Sequence, residues 1–235
     1  MRVIRAIAFD LEGPIFDFEQ LHFNSHIEAT RLVLGHEITY EWIIGYVPNA
    51  VGGGDPNIAL HIARHFRVNG REQELLIHKA RAFEERLNDH PIKAREGAIE
   101  TIDWFRERGY PIAIGSNTPR EAAMRYLTTV GLGDGTIPIV LAEDVKNPKP
   151  WPDIYLKTAE VMGVDPSAQL VFDDSHTGLD AASRAGSPRI ATPLHRAPLV
   201  MEKLEQHTPL RVIHSWNEIN LETLMDHIER ELQDV

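Results

Sequence analysis

Four carboxylates, a lysine and a Ser-Asn pair stand where the sequence could do chemistry. Asp10 and Glu12 follow the apolar run AIAF and precede Gly13-Pro14, and Asp173 and Asp174 close the run QLVF. Ser116 and Asn117 close PIAIG, and Lys149 sits between prolines in NPKPWPDIY. Carboxylates from two strand ends can hold a hard divalent cation, which prefers oxygen ligands. A carboxylate can also act as a nucleophile and split one difficult step into two. A lysine with hydroxyl or backbone N–H donors suits negative charge developing on a transferred group. Each group also has an ordinary reading. Acids and Gly-Pro are common in turns, Ser-Asn can cap a helix, and a lysine among prolines can be a solvated loop residue.

The surrounding elements give these residues a common address. VIRAIAF (3–9), PIAIGS (111–116), IPIVLA (137–142), QLVFDD (169–174) and PRIAT (188–192) have strand character. Between the later runs lie helical patterns at 96–109, 119–131, 152–163 and 176–186, each ending at a glycine. Strands alternating with helices imply right-handed crossovers and a mostly parallel sheet, in which ligands bind beyond the carboxyl ends of the strands. The polar residues closing these runs would then share one edge.

Residues 18–92 break the alternation and read as successive helices: FEQLHFNSHIEATRLVLG, GDPNIALHIARHFRVNG and REQELLIHKARAFEERLND, with VGGGDP (51–56) as a flexible break. The expected architecture is α/β: a Rossmann-like three-layer core with a parallel sheet, from residues 1–17 and 93–235, and an all-helical cap, 18–92, inserted after the first strand. Such an insertion can act as a lid that excludes water. The tail, 211–233, reads as an edge strand and an amphipathic helix.

Composition narrows the partners. The net charge of −11 argues against nucleic acid or an anionic membrane surface, while leaving room for a small anionic substrate at a local site. The absence of cysteine excludes disulfides, cysteine zinc sites and cysteine nucleophiles. MRVIRAIAFD lacks the continuous apolar region of a signal peptide, and no segment approaches the ~18 apolar residues of a membrane helix. A cytoplasmic monomer or homodimer is expected.

The motifs DLEG, Ser116-Asn117, Lys149-Pro150 and FDDSHTGLDAASRAG occur in the order found in the haloacid dehalogenase superfamily, which the chain resembles from about residue 3 to 192. Within it the β-phosphoglucomutase/phosphoglycolate phosphatase-like subgroup, with its helical cap, is the nearest likeness. The resemblance implies a Mg²⁺-dependent hydrolase, a phosphatase of a small phosphorylated metabolite. It gives Asp10 as nucleophile, and Glu12 as general acid/base that also offers its backbone carbonyl to the metal. Ser116 and the Asn117 backbone would bind the phosphoryl oxygens, and Lys149 would neutralise the phosphate and orient Asp10. Asp174 would ligate the metal, with Asp173 as neighbour or second ligand. His22, at the cap hinge, would position the acid/base or a substrate oxygen.

The chain departs from the family pattern at Glu12, where aspartate is usual, and at Gly13-Pro14, where Gly-Thr is common. The longer side chain reaches about 1.5 Å further, and a misplacement of about 1 Å can cost on the order of 100-fold in rate. Two alternatives to the phosphatase follow. One is a β-phosphoglucomutase-like phosphomutase, which the acidic turn GGGDPN disfavours because Asp55 stands where a second phosphate would need positive charge. The other is a non-catalytic phosphate-binding protein in which Glu12 has replaced the working acid/base. The cap histidines His22, His26, His36, His61, His65, His78 and His90 read mainly as surface or packing residues, although His61 and His65 are spaced to share a helix face. Trp42 and Tyr46 read as cap packing, Trp151 as a shield beside Lys149, Asp17 as a solvated or capping residue and Asp180 as a helix-surface acid.

Overall fold

A computed structural model describes residues 3–89, 91–194 and 196–233. In chain order the strands are β1 Ala6–Phe9, β2 Ile112–Ser116, β3 Ile139–Leu141, β4 Gln169–Asp173, β5 Arg189–Ala191 and β6 Arg211–Val212. The helices are α1 Glu19–Leu34, α2 Tyr40–Tyr46, α3 Gly54–His65, α4 Glu72–Asp89, α5 Ala98–Glu107, α6 Arg120–Thr129, α7 Asp153–Met162, α8 His176–Ala185, α9 Pro198–Glu205 and α10 Leu221–Gln233. The chain divides into two compact units: Met1–Asp17 with Lys93–Arg196 and Met201–Val235, and Phe18–Ile92 with Ala197–Val200.

The first unit is built on one six-stranded sheet of order β3-β2-β1-β4-β5-β6. Every neighbouring pair is parallel, the expected consequence of strand–helix alternation. Side chains alternate across the sheet. On one face Ala8 and Val171 pack with Ile154 and Tyr155 of α7 and Ala181, Ala182 and Ala185 of α8. Toward the other, Phe9 stacks on its register partner Phe172 with centroids 5.0 Å apart, and Phe105 of α5 meets Phe9 edge-on at 6.2 Å. Helices on both faces account for the wholly buried strands β1, β2 and β4.

Strand one is shorter than its apolar run. The N–H groups of Val3 and Ile4 donate to the Glu229 carboxylate of α10 at 2.6 and 3.0 Å, not to a neighbouring strand. The expected break at 51–56 is also shorter, because Gly54, Asp55 and Pro56 form the first turn of α3. An acid there complements the helix dipole, and proline is tolerated where the N–H has no intrahelical partner. Two helices were not expected. Helix α2 opens with the Thr39 hydroxyl accepting the Trp42 N–H at 3.2 Å, and its seven residues are too few for a clear period; α9 is eight residues long. The edge strand and amphipathic helix of the tail are present as β6 and α10.

The second unit packs α1 against α4. Phe83 of α4 receives Phe18 edge-on at 6.4 Å and the His22 ring in a stack at 4.3 Å. Glu28 and Arg86 add an ion pair between the two helices. Among the described residues no helix is long and apolar enough to cross a membrane.

Candidate active site

Parallel neighbours in register carry their carboxyl ends to one level. Phe9 of β1 pairs with Phe172 of β4, and the next residue, Asp10, donates its N–H to the Phe172 carbonyl at 2.8 Å. Asp10 and Asp173 therefore leave adjacent strands together. Asp174 follows at once, and each of the three carboxylates offers an oxygen within 4.8 Å of the others. Ser116 ends β2, the other neighbour of β1.

Lys149 lies at the centre of this group. Its Nζ is 2.9 Å from Asp10 Oδ1 and 2.8 Å from Asp173 Oδ2, and its side chain is 3% exposed. It is not a solvated loop lysine. The loop that carries it is clamped by Asn117, whose Oδ1 accepts the Lys149 N–H at 3.0 Å while its Nδ2 donates to the Lys149 carbonyl at 3.1 Å. Asn117 thus spends its side chain on Lys149 and does not cap α6.

Asp173 is fully engaged. Oδ2 accepts from Lys149 and from the Tyr155 hydroxyl at 2.5 Å, and Oδ1 accepts from the Ser175 N–H and hydroxyl at 2.9 and 2.8 Å. Gly178 makes room for it, since a Cβ there would lie 1.8 Å from Asp173 Oδ2. Burial pushes the Asp10 carboxyl up to about 6, and Asp173 adds to the rise; Lys149 and a hydrogen bond from Ser116 only partly oppose it. Burial by itself would lower the Lys149 ammonium, but Asp10 and Asp173 together outweigh it and hold its pKa above the usual lysine value.

The loop after Asp10 is tightly pinned. Leu11 N–H donates to Asp10 Oδ1 at 2.8 Å, and Gly13 N–H donates to the Phe16 carbonyl at 2.7 Å. Arg95 donates to the carbonyls of Gly13, Thr192 and His214, and Trp216 Nε1 donates to the Pro14 carbonyl. Gly13 has φ +96°, and a Cβ there would lie 2.2 Å from Asp174 Cγ, so both conformation and space demand glycine. Glu12 accepts a 2.7 Å hydrogen bond from the Thr118 hydroxyl.

The structure thus brings Asp10, Glu12, Ser116, Asn117, Lys149, Asp173 and Asp174 to one end of the sheet in the first unit. His22 belongs to a cluster in the second unit. Its Nδ1 lies 2.6 Å from Lys79 Nζ, and Lys79 pairs with Asp55 Oδ2 at 2.6 Å. His26 Nε2 lies 2.9 Å from Asp55 Oδ1. The positive charge missing from the GGGDPN turn is therefore supplied to Asp55 by α4. Burial would raise the Asp55 carboxyl, but His26 and Lys79 hold it well below the usual carboxylate range. Burial keeps His26 below its ordinary pKa despite Asp55.

The remaining candidates are peripheral. His65 packs edge-on against Trp42 and Tyr46, which stack on each other at 4.8 Å. Trp151 is 53% exposed, with the Arg184 guanidinium over its ring 5.3 Å from the centroid. Asp17 is exposed, and Asp180 pairs with Arg184. His90 lies outside the described residues. Tyr155, Thr118, Arg95 and Lys79 went unremarked in the sequence. Only Thr118, beside Ser116-Asn117, carried a local signal.

Comparison with known proteins gives a consistent picture. A family model described as haloacid dehalogenase-like hydrolase matches residues 4–186. A phosphorylated carbohydrates phosphatase of Thermotoga maritima is 30% identical over 198 residues, 82% of this chain and 86% of the relative. A fructose-1-phosphate phosphatase of Escherichia coli is 30% identical over 183 residues, 77% and 92% of the two chains. The crystal structure of a β-phosphoglucomutase from Clostridium difficile superposes with a TM-score of 0.76 at 19% identity, covering 97% of this chain and 99% of that one. At that identity the likeness speaks for the fold alone.

Proposed function

The chain belongs to the haloacid dehalogenase-like hydrolase family, and from that premise we propose that it is a phosphatase of a small phosphorylated carbohydrate. The observation that carries this reading is the buried lysine shared by Asp10 and Asp173 beside Asp174. Three buried carboxylates lie together there, two of them on Lys149 and the third within the influence of Arg95. Clustered carboxylate oxygens of this kind suit a divalent cation and an anionic ester arriving together. The relatives named for phosphorylated carbohydrates support the substrate class.

The all-oxygen donor set fits Mg²⁺. The Asp10 carboxylate, the Glu12 carbonyl and Asp174 would hold the ion; Asp173 already accepts four hydrogen bonds and serves as orienter of Lys149. When bound, Mg²⁺ neutralises charge on the phosphoryl oxygens. Asp10, oriented by the Leu11 N–H and Lys149, attacks phosphorus; a P–O bond forms to Asp10 as the ester P–O bond breaks. Glu12 gives its proton to the departing alkoxide. Ser116 and Lys149 meet the charge on the transferred group. The Glu12 carboxylate then takes a proton from water, whose oxygen displaces Asp10, releasing phosphate and restoring both groups.

The test is phosphate release from a panel of sugar monophosphates, with Mg²⁺ and with chelator, for the parent and Asp10→Asn. Release should depend on metal and fall by roughly 1,000-fold or more in the variant. Metal-independent release, or release surviving in Asp10→Asn, overturns the reading.

A further inference from the structure

We propose that Thr118 is the positioning residue for the Glu12 carboxylate, the device that lets this chain use a glutamate as its acid/base. This deepens the proposed function and rests on its assignment of Glu12.

Glutamate in place of aspartate adds a methylene and a rotor. Left to itself, the carboxylate would sweep over positions differing by more than an ångström, and misplacement on that scale can cost on the order of 100-fold in rate. The Thr118 hydroxyl answers this need. It donates to Glu12 Oε1 at 2.7 Å, an ordinary O–H···O length, across 106 residues of sequence. Thr118 is itself held. It is buried, its N–H donates to Ser116 Oγ at 3.3 Å, and its Oγ1 lies 3.2 Å from Ser116 Oγ.

The chain Ser116–Thr118–Glu12 thus joins the proposed phosphoryl-binding hydroxyl to the proposed acid/base. A hydroxyl has one proton and two acceptor sites. Donating to Glu12 leaves Thr118 able to accept from Ser116. When Ser116 turns its proton to a phosphoryl oxygen, the Thr118–Glu12 bond is unaffected. An acceptor-only side chain could not hold an ionised carboxylate, and a methyl could hold neither protonation state. Serine keeps the hydroxyl and valine keeps the shape, so the two substitutions separate hydrogen bonding from packing.

The experiment measures kcat and KM on p-nitrophenyl phosphate with Mg²⁺. It compares the parent, Thr118→Val, Thr118→Ser, Glu12→Gln and the Glu12→Gln/Thr118→Val double variant, with thermal melts establishing that each is folded. Thr118→Val should lower kcat by about 10- to 100-fold with KM within about 3-fold, and Thr118→Ser should restore most of it. In the Glu12→Gln background, Thr118→Val should change kcat by less than about 3-fold, because the two residues act as one unit. A Thr118→Val loss that persists undiminished in the Glu12→Gln background leaves the acid/base reading standing and overturns this proposal alone. So does a loss confined to KM, which would make Thr118 a substrate contact. Full activity of Glu12→Gln overturns the acid/base reading and this proposal with it.

Discussion

Two lysines are buried in this protein to the same degree, each side chain 3% exposed, one in each compact unit. Lys79 has one carboxylate partner, Asp55, with His22 and His26 completing the group. Lys149 has Asp10 and Asp173, with Asp174 alongside. The carboxyl shifts are opposite in sign. His26 and Lys79 overcome burial at Asp55 and hold it well below the ordinary carboxylate range, whereas at Asp10 burial, with Asp173 adding to it, prevails over Lys149 and pushes the carboxyl up to about 6. A charge cluster that balances itself is a structural joint. A cluster in which two or more carboxylates share a lysine keeps carboxylate oxygens that a cation could take.

The contrast can be broken first at the lysines. Lys149→Met strands two buried carboxylates, and removal of one partner from a buried pair typically costs about 3–5 kcal/mol. Denaturant unfolding should show a loss of that size. A loss under about 1 kcal/mol would mean that Asp10 and Asp173 are better solvated than their burial indicates.

Metal sharpens the contrast next. If a cation takes oxygens of Asp10 and Asp174, Mg²⁺ should raise the melting temperature of the parent, with a stabilisation of about 2.7 kcal/mol at 100 times its dissociation constant. The rise should vanish in Asp174→Asn and persist in Asp55→Asn. Persistence in Asp174→Asn would move the ion elsewhere.

The smallest expected effect lies in the balanced cluster. Asp55→Asn should cost about 1 kcal/mol, less than Lys149→Met, because the Asp55 side chain is 35% exposed and screened. Acid should reach the same cluster in two steps. The folded pKa of His26 is depressed, so the unfolded state binds the extra proton and stability declines as pH falls below about 6.5. Asp55 is also depressed; its contribution is present above the ordinary carboxylate pKa, about 3.9, and is lost as pH falls below it. In melts from pH 7 to 3, the stability difference between the parent and Asp55→Asn should hold above about pH 3.9 and shrink below it.

Much of the sheet edge is legible in the sequence. Apolar runs ending at Asp10, Ser116 and Asp173 placed three strand ends, because period and turn chemistry are local. The partners of those residues were not legible. Thr118 reaches Glu12 across 106 residues, Asn117 reaches Lys149 across 32, and Tyr155 reaches Asp173 across 18. Tyr155 lies in a helical pattern and Arg95 just before one, and neither position carries a local sign of its partners. Nothing near Asp55 announced that Lys79, 24 residues on, would neutralise it. Helix α2 was missed for a related reason: seven residues span only about two turns, too few to establish a periodicity.

What the sequence determined by itself is the alternation of elements, the parallel sheet, and the identity and order of the groups at its carboxyl edge. These follow from short-range patterning and from the handedness of the crossovers. The tertiary structure alone decided which carboxylate each lysine serves, which hydroxyl reaches Glu12, and why Gly13 and Gly178 tolerate no side chain. Those depend on register between strands and on distances of a few ångströms across the sheet end, where a hydrogen bond or a buried charge gains or loses its partner.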